Sequence, residues 1–226
     1  MKLIKKLEVC SFNIIDFNKI IKQKVSRIEL CINKEVGGIT PPEKDIAYAT
    51  SKKTPIHPII RPRPGNFTYN TKELSKMINS IEYCKDVGCR GVVFGVLDDK
   101  NSVDYKKCEI LVKESKGMSL TFHMAFDLTD DPFESMEKII DLGFERILTR
   151  GQKQNAEDGI NLINKLADKS KERISIMPGA GVRSSNINLF LKNKNIKEFH
   201  SSCYINNSFS ERELEKLIKT IEENQN

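Results

Sequence analysis

Glu8-Val9-Cys10 and Glu29-Leu30-Cys31 are two versions of one short phrase, and each closes a short apolar stretch near the start of the 226-residue chain. If both stretches are β-strands, alternation of the side chains puts the Glu and the Cys of each phrase on one face. Neighbouring strands would then direct two thiols and two carboxylates at one spot. Buried carboxylates need partners, and thiolates are ligands for soft metals. The repeated phrase therefore predicts strands that carry a metal-binding or reactive site.

Short β-branched segments alternate with amphipathic helical patterns from one end of the chain to the other. We predict eight strands, near residues 7–11, 26–31, 56–61, 91–96, 119–123, 145–149, 173–177 and 197–201. Apolar residues at helical spacing mark the helices between them, most clearly at Leu74, Met77, Ile78 and Ile81 and at Leu214, Leu217, Ile218 and Ile221.

Residues typical of helix ends flank these patterns. Asp131, which precedes Pro132, and Ser210 are suited to cap helix N-termini, and Pro41-Pro42 is suited to open the second helix. Glycine follows three helical patterns at the point where a left-handed residue ends a helix: Gly88, Gly117 and Gly143.

Eight strands alternating with eight helices predict parallel pairing and an α/β fold. We predict a single (β/α)₈ TIM barrel over residues 1–226, with an open doubly wound sheet as the alternative. No linker or change in composition marks a second domain. Function in a barrel resides where the strands end and the βα loops begin.

The composition narrows the classes of partner. The net charge of +6 is spread along the chain and forms no basic stripe, so we expect no nucleic-acid partner. Glu8 and Asp16 interrupt any early apolar segment, and the longest apolar run, 91–97, is too short to cross a bilayer. We expect a cytoplasmic protein with no membrane partner, whose six cysteines are free thiols or metal ligands.

Polar residues collect at the predicted carboxyl ends of the strands. Two thiols near an imidazole suit Cu(I), so Cys10 and Cys31 are the predicted metal ligands; the alternative is that each cysteine packs as a small apolar residue. The candidates for proton transfer are His123, Glu8, Glu29 and Asp127. Thr149 and Ser201 stand at the ends of two other predicted strands.

Cationic and glycine-rich segments suggest that the same end of the barrel binds an anion. Arg61 and Arg63 flank Pro62, and their guanidinium groups would either neutralise buried carboxylates or bind an anionic ligand. Gly179 and Gly181 follow the seventh strand, where barrels often bind phosphate and where we predict a helix opening near Ser184. His200 on the last strand completes the predicted ligand-binding set.

Taken together, the phrases resemble those of the CutC family of copper homeostasis proteins, which have a TIM-barrel fold. The matching phrases span the chain in family order: Glu8-Val9-Cys10, 27–31, 37–41, Arg61-Pro62-Arg63, 91–95, 121–123, 125–127, 146–149, 177–179 and 198–200. The resemblance implies a cytoplasmic protein associated with copper, Cu(I) binding by Cys10 and Cys31, and assembly as a homodimer or homotetramer.

Three residues depart from the family pattern. Met124 stands where an arginine is usual, Arg150 where a small residue is usual, and Ala180 where a glycine is usual. The first two change the charge around the pocket mouth, but a thiol-based copper site would be unaffected.

Three functional hypotheses follow, and the third is a non-catalytic scaffold whose pocket is vestigial. In the first, the barrel mouth binds Cu(I) through cysteine thiolates, with Glu8, Glu29 and His123 orienting or tuning them. In the second, the protein is a TIM-barrel enzyme that acts on a small anionic, perhaps phosphorylated, metabolite by His/Glu acid–base chemistry. The sequence leaves open whether a reaction is catalysed.

Overall fold

Eight parallel strands follow one another in chain order around the molecule. The structure is a computed structural model that describes residues 5–224. The strands lie close to the predicted positions: β1 Lys6–Ser11, β2 Arg27–Leu30, β3 Ile56–Pro58, β4 Gly91–Phe94, β5 Ser119–Phe122, β6 Arg146–Thr149, β7 Ser175–Pro178 and β8 Glu198–Ser201.

The strands form two four-stranded halves, in the orders β3-β2-β1-β8 and β4-β5-β6-β7. The halves are joined beyond β3, where the Ile60 amide donates to the Val93 carbonyl at 2.8 Å, and where β7 packs beside β8. Because the first strand pairs with the last and the other strands keep chain order, the arrangement is the predicted (β/α)₈ barrel and not an open doubly wound sheet.

Helices cover the outside of the strands, and their ends match the predicted caps. They are α1 Ile14–Ile20, α2 Glu43–Thr50, α3 Thr71–Asp86, α4 Tyr105–Glu114, α5 Pro132–Asp141, α6 Ile160–Ser170, α7 Ile187–Leu191 and α8 Glu211–Glu223. The side chains of Asp131 and Ser210 accept amide hydrogens at the starts of α5 and α8. The helix predicted near Ser184 begins three residues later and has only five residues.

A short hairpin directly after β8 was not predicted. It pairs β9, Tyr204–Ile205, with β10, Ser208–Phe209. Asn206 and Asn207 between them have φ of 47° and 61°, the left-handed conformation of a two-residue hairpin turn that asparagine tolerates well. The Asn206-Asn207 dipeptide was therefore the available sequence signal.

The apolar core lies between the strands and the helices, while much of the barrel interior is polar. Outward residues such as Leu7, Val9 and Phe199 belong to the main apolar cluster with the inner faces of the helices. Near the mouth, a separate small cluster contains Cys10, Cys31, Ile59 and Val93. A barrel interior is usually filled by branched apolar side chains, so the charged groups below this cluster require partners.

An ion network supplies those partners. Glu8 lies opposite Arg27 on β2 and opposite His200 on β8, and its carboxylate forms a close ion pair with Arg27. Arg27 also contacts Glu198 at 2.5 Å, and Glu198 lies 3.3 Å from Arg146. Two guanidinium groups thus neutralise two carboxylates inside the barrel.

His57 on β3 lies in the same interior region, toward the end of the barrel away from the carboxyl ends of the strands. Burial, reinforced by the positive charges of Arg27 and Arg146, lowers the pKa of His57 to about 4.

Across residues 5–224, the helices are too short or too polar to span a bilayer.

We expect Arg27→Met to lower the free energy of unfolding by about 3–5 kcal/mol, because it leaves buried carboxylates without their counter-ion. Urea denaturation would measure the change. The matched control is Arg173→Met, which removes an exposed arginine whose two terminal nitrogens bond the Glu137 carboxylate at 2.6 and 2.8 Å. This variant should change stability little. Equal effects in the two variants would contradict a stabilising role for the buried network.

Candidate functional site

A cavity of about 370 Å³ opens at the carboxyl ends of the strands. Its lining combines polar groups from several strands and loops with an apolar wall. The lining residues are Cys10, Phe12, Glu29, Lys34, Gly37, Ile59, Arg61, Phe67, His123, Met124, Leu148, Ala180, Gly181, His200 and Ser202. The polar residues thus come together at the end of the barrel where the sequence predicted a site.

Cys10, Glu29 and His200 form a compact group of potential ligands in this cavity. One ligand atom from each residue lies within 4.8 Å of the others. The strand register creates the group, because Cys10 lies opposite Glu29, and His200 lies opposite Glu8, two residues before Cys10 on the same face. All three side chains are buried.

Cys31 stands next to this group but does not line the cavity. Its Sγ is 2.9 Å from the Sγ of Cys10 and 3.4 Å from the Ser11 carbonyl oxygen. Gly38 allows the following loop to pass close to it: φ is +86° there, and a Cβ at this position would lie 3.2 Å from the Cβ of Cys31. The two predicted metal ligands are therefore adjacent, with Cys10 exposed to the cavity and Cys31 next to it.

Glu8 lies too deep to contact a ligand and instead orients His200. Its carboxylate accepts a hydrogen bond from Nδ1 of His200 at 2.7 Å, which leaves Nε2 of His200 facing Glu29 at 3.8 Å. Burial opposes ionisation of Glu8, but Arg27 and the His200 hydrogen bond outweigh it and lower the pKa of this carboxyl group. Glu8, predicted as a proton-transfer candidate, is a fixed carboxylate beneath the site.

Burial dominates the protonation of the remaining groups. It raises the pKa of Cys10 and of Cys31, so both are thiols near neutral pH. Burial likewise raises the pKa of Glu29. For His200, burial works against the charged form, but the hydrogen bond to Glu8 and the charge of Glu29 raise the pKa above its usual value. A metal ion that binds to Cys10 and Cys31 must therefore displace protons from their thiols.

The two predicted anion-binding arginines differ. Arg61 lines the cavity, but its guanidinium donates to the carbonyl oxygens of Val36, Gly38 and Gly65 at 2.7–2.9 Å. Arg63 does not line the cavity: its Nε bonds Glu73 on α3 at 2.5 Å. Neither neutralises Glu8, which pairs with Arg27.

Asp127 organises a loop instead of facing the cavity. Its carboxylate accepts hydrogen bonds from the Thr149 hydroxyl at 2.6 Å and from the amides of Arg150 and Gln152 at 3.0 and 2.9 Å. Arg150, one of the departures from the family pattern, places its Nε 3.9 Å from the same carboxylate. The geometry supports a structural role for Asp127 in this turn.

The loop after β7 places two of its residues against the cavity and uses one of its amides within the fold. The Gly179 amide donates to the Thr149 carbonyl at 2.9 Å, and the short helix α7 offers a weak terminus. Gly181 and Ala180 line the cavity. Ala180 has φ of 63°, a left-handed conformation that glycine adopts without strain. The replacement of the usual glycine by alanine therefore falls at a position where the backbone conformation favours glycine.

The structure brings together several of the residues that the sequence predicted at one end of the barrel. The sequence placed Cys10 and Cys31 together and put Glu29 and His200 at the same end of the barrel. It treated Glu29 as an outer group and His200 as an anion ligand, whereas both belong to the ligand group with Cys10. The signal that could have placed His200 beside Cys10 was the pairing of β1 with β8, which any closed barrel requires.

A (β/α)₈ barrel whose mouth gathers thiols, a carboxylate and an imidazole defines the class of this protein. The CutC family model matches residues 5–205. A family protein CutC of Pasteurella multocida is 40% identical over 198 residues, which cover 87% of this chain and 81% of that protein. The chain belongs to the CutC family.

Solved structures agree with this assignment. The proposed copper homeostasis protein CutC from Streptococcus agalactiae superposes with a TM-score of 0.83 and 33% identity, covering 88% of this chain and 99% of that one. N-(5′-phosphoribosyl)anthranilate isomerase from Pyrococcus furiosus superposes with a TM-score of 0.63 at 12% identity, covering 97% of this chain and 99% of that one. The second likeness shows the fold alone.

We expect Asp127→Ala to lower the free energy of unfolding by about 2 kcal/mol or more, because it leaves buried donors of the 149–152 turn without an acceptor. Thermal and urea unfolding would measure the loss. Asp104→Ala is the control, since it removes one helix-capping carboxylate and should cost about 1 kcal/mol. A smaller loss for Asp127→Ala than for the control would contradict the assigned role in the turn.

Proposed function

We propose that this protein binds Cu(I) in the barrel mouth through Cys10, Cys31 and His200, and that it serves copper homeostasis. The observation that carries the proposal is that the Cys10 thiol shares a buried ligand group with the oriented imidazole of His200, while the Sγ of Cys31 lies 2.9 Å from that of Cys10. Membership of the CutC family and the description of the Streptococcus agalactiae relative support it.

The donor set has the chemistry that Cu(I) prefers. Thiolate and imidazole are soft or intermediate ligands, and Cu(I) accepts low coordination numbers. Glu8 fixes the Nδ1–H of His200, the outer-shell arrangement that orients metal-binding histidines and raises their basicity. Glu29 supplies a hard oxygen, which Cu(I) needs least.

The sulfur atoms must move apart to share an ion. Two thiolates on one metal lie about 4 Å apart, given a bond of ~2.3 Å by analogy with zinc. The two sulfurs are 2.9 Å apart. Rotation of the Cys10 side chain toward the cavity would open the required space.

A second candidate function is chemistry on a small anionic metabolite. A cavity of about 370 Å³ is larger than a metal ion requires and reaches the range of small-molecule sites. Glu29 and His200 would be the proton-transfer groups, because Asp127 is bonded to the 149–152 turn and burial lowers the pKa of His123 to about 3. We propose a cytoplasmic location and homo-oligomeric assembly for either function, on the family resemblance.

Replacing Cys10 and Cys31 together by serine should weaken Cu(I) binding by more than about 100-fold, since losing ligands exceeds the about 10- to 100-fold effect of altering an outer-shell partner. Anaerobic titration against a chromogenic Cu(I) chelator would measure affinity and stoichiometry. Reducing conditions are needed because the two adjacent sulfurs could otherwise be oxidised to a disulfide.

The control is the double variant Cys84→Ser plus Cys89→Ser. These residues are a second pair of neighbouring buried thiols within residues 5–224. They do not line the cavity, so the control should keep the wild-type affinity. His200→Gln should weaken binding while leaving the thiols in place. Equal stoichiometry and affinity in wild type and in the Cys10/Cys31 variant would end the proposal.

Cu(I) affinity should rise with pH. Burial raises the pKa of both thiols, so binding must release their protons, and the released protons favour binding at higher pH. We expect the apparent affinity to increase by about 10- to 100-fold per pH unit from about pH 6 to about pH 8. Chelator competition at several pH values would measure it, and a flat profile would argue against thiolate ligands.

A further inference from the structure

A second polar group lies in the same cavity and shares no residue with the proposed metal ligands. His123, Arg61 and Phe67 all line the cavity. The Phe67 ring centroid is 4.8 Å from that of His123 and 4.7 Å from the guanidinium carbon of Arg61. The aromatic ring therefore joins an imidazole and a cation into one surface.

The hydrogen bond at Nδ1 sets the tautomer of His123. The Ala125 amide donates to this nitrogen at 3.2 Å, and a neutral imidazole that accepts at one nitrogen carries its hydrogen on the other. Gly95 makes room for this ring position, because a Cβ there would lie 2.9 Å from Nδ1. Nε2 of His123 is therefore a donor.

That donor has no acceptor within the protein. His123 is only 3% exposed, and Nε2 has no hydrogen-bond partner among residues 5–224. A buried donor left unpaired costs about 1–3 kcal/mol. Burial, followed by the charge of Arg61, lowers the pKa of His123 to about 3, so the imidazole stays neutral and keeps its Nε2–H at physiological pH.

Arg61 provides a buried positive charge without a matching carboxylate. It is 5% exposed, and its guanidinium bonds the neutral carbonyl groups of Val36, Gly38 and Gly65. Within residues 5–224 it forms no ion pair. Because a buried charge is stable only when it is compensated, this end of the cavity favours an anion.

The rest of the lining limits the kind of anion. Phe12, Ile59, Met124 and Leu148 give the cavity an apolar wall. A phosphate group requires several strong donors, whereas among the cavity-lining side chains of residues 5–224 the unpaired buried donors are Nε2 of His123 and Nε of Arg61. One imidazole donor, one nearby cation and an apolar wall suit a carboxylate with a short apolar body.

We propose that His123, Arg61 and Phe67 form a binding site for a small organic carboxylate, which accepts the Nε2 hydrogen of His123 and packs its apolar part on Phe67. The proposal rests on the second candidate function and names its ligand class. It also assigns His123 as a neutral hydrogen-bond donor, in place of the acid–base or metal-tuning role that the sequence suggested.

Nitrogen NMR of the histidine side chains in the reduced, metal-free protein tests the proposal directly. The chain has three histidines, so their signals can be assigned with few variants. We expect the His123 ring to be protonated at Nε2 and unprotonated at Nδ1. Adding sodium isobutyrate should shift the His123 signals in a saturable manner and leave those of His57, at the other end of the barrel, unchanged.

Matched ligands and variants separate charge from shape. Isobutyramide, which has the same shape without the charge, and inorganic phosphate should each bind at least about tenfold more weakly than isobutyrate. His123→Ala should weaken isobutyrate binding by about 10- to 100-fold, the effect of losing a hydrogen bond to a charged group. His123→Gln retains an N–H donor and should lose less.

The outcomes distinguish this inference from the functions proposed above. Protonation at Nδ1, equal binding of isobutyrate and isobutyramide, tighter binding of phosphate, or unchanged binding in a folded His123→Ala protein would each overturn the carboxylate site. If phosphate binds through other residues, the anionic-metabolite function survives without it. If none of the three probes binds, both fail, while Cu(I) binding, measured separately with the cysteine variants, is unaffected.

Discussion

The carboxylate of Glu8 is the group on which the barrel interior depends. The register of β1 places it opposite Arg27 on one side and His200 on the other, and it is fully buried. An isolated charge in this position would be prohibitively costly, so Arg27 must compensate it. The same carboxylate then fixes Nδ1–H of His200. One ion pair therefore determines both the packing of the interior and the orientation of a candidate metal ligand.

This arrangement divides stability and function between two layers of the fold. The apolar contacts between strands and helices form the large core, while the barrel interior holds the ion network and, at the mouth, a small cluster that includes both cysteines. A buried ion network contributes less net stability than well-packed apolar groups would. The apolar core between strands and helices thus provides most of the folding stability, and this stability allows charged and thiol side chains to occupy the barrel interior.

The sequence predicted the fold well because strand and helix periodicities are local properties. All eight strands lie close to the positions that the patterns indicated, and Asp131 and Ser210 cap helices as predicted. The helix predicted near Ser184 begins at Ile187 instead. The repeated Glu-x-Cys phrase placed two thiols side by side. Depth and partners were not predictable in this way. Alternation shows which face Glu8 occupies but not that it lies below the cavity. Arg63 is bonded to Glu73, and Asp127 is bonded to the 149–152 turn. Only the folded loops bring these partners close.

The two cavity histidines show why the partner of one ring nitrogen decides the chemistry of the other. In His200, Nδ1 donates to the Glu8 carboxylate, so in the neutral ring the Nε2 lone pair is available to a metal ion or a proton. In His123, Nδ1 accepts from the Ala125 amide, so Nε2 carries a hydrogen and can only donate. The cavity thus offers one electron-pair donor and one hydrogen-bond donor at fixed positions. Because each role is imposed by a contact outside the cavity, neither histidine can take over the role of the other.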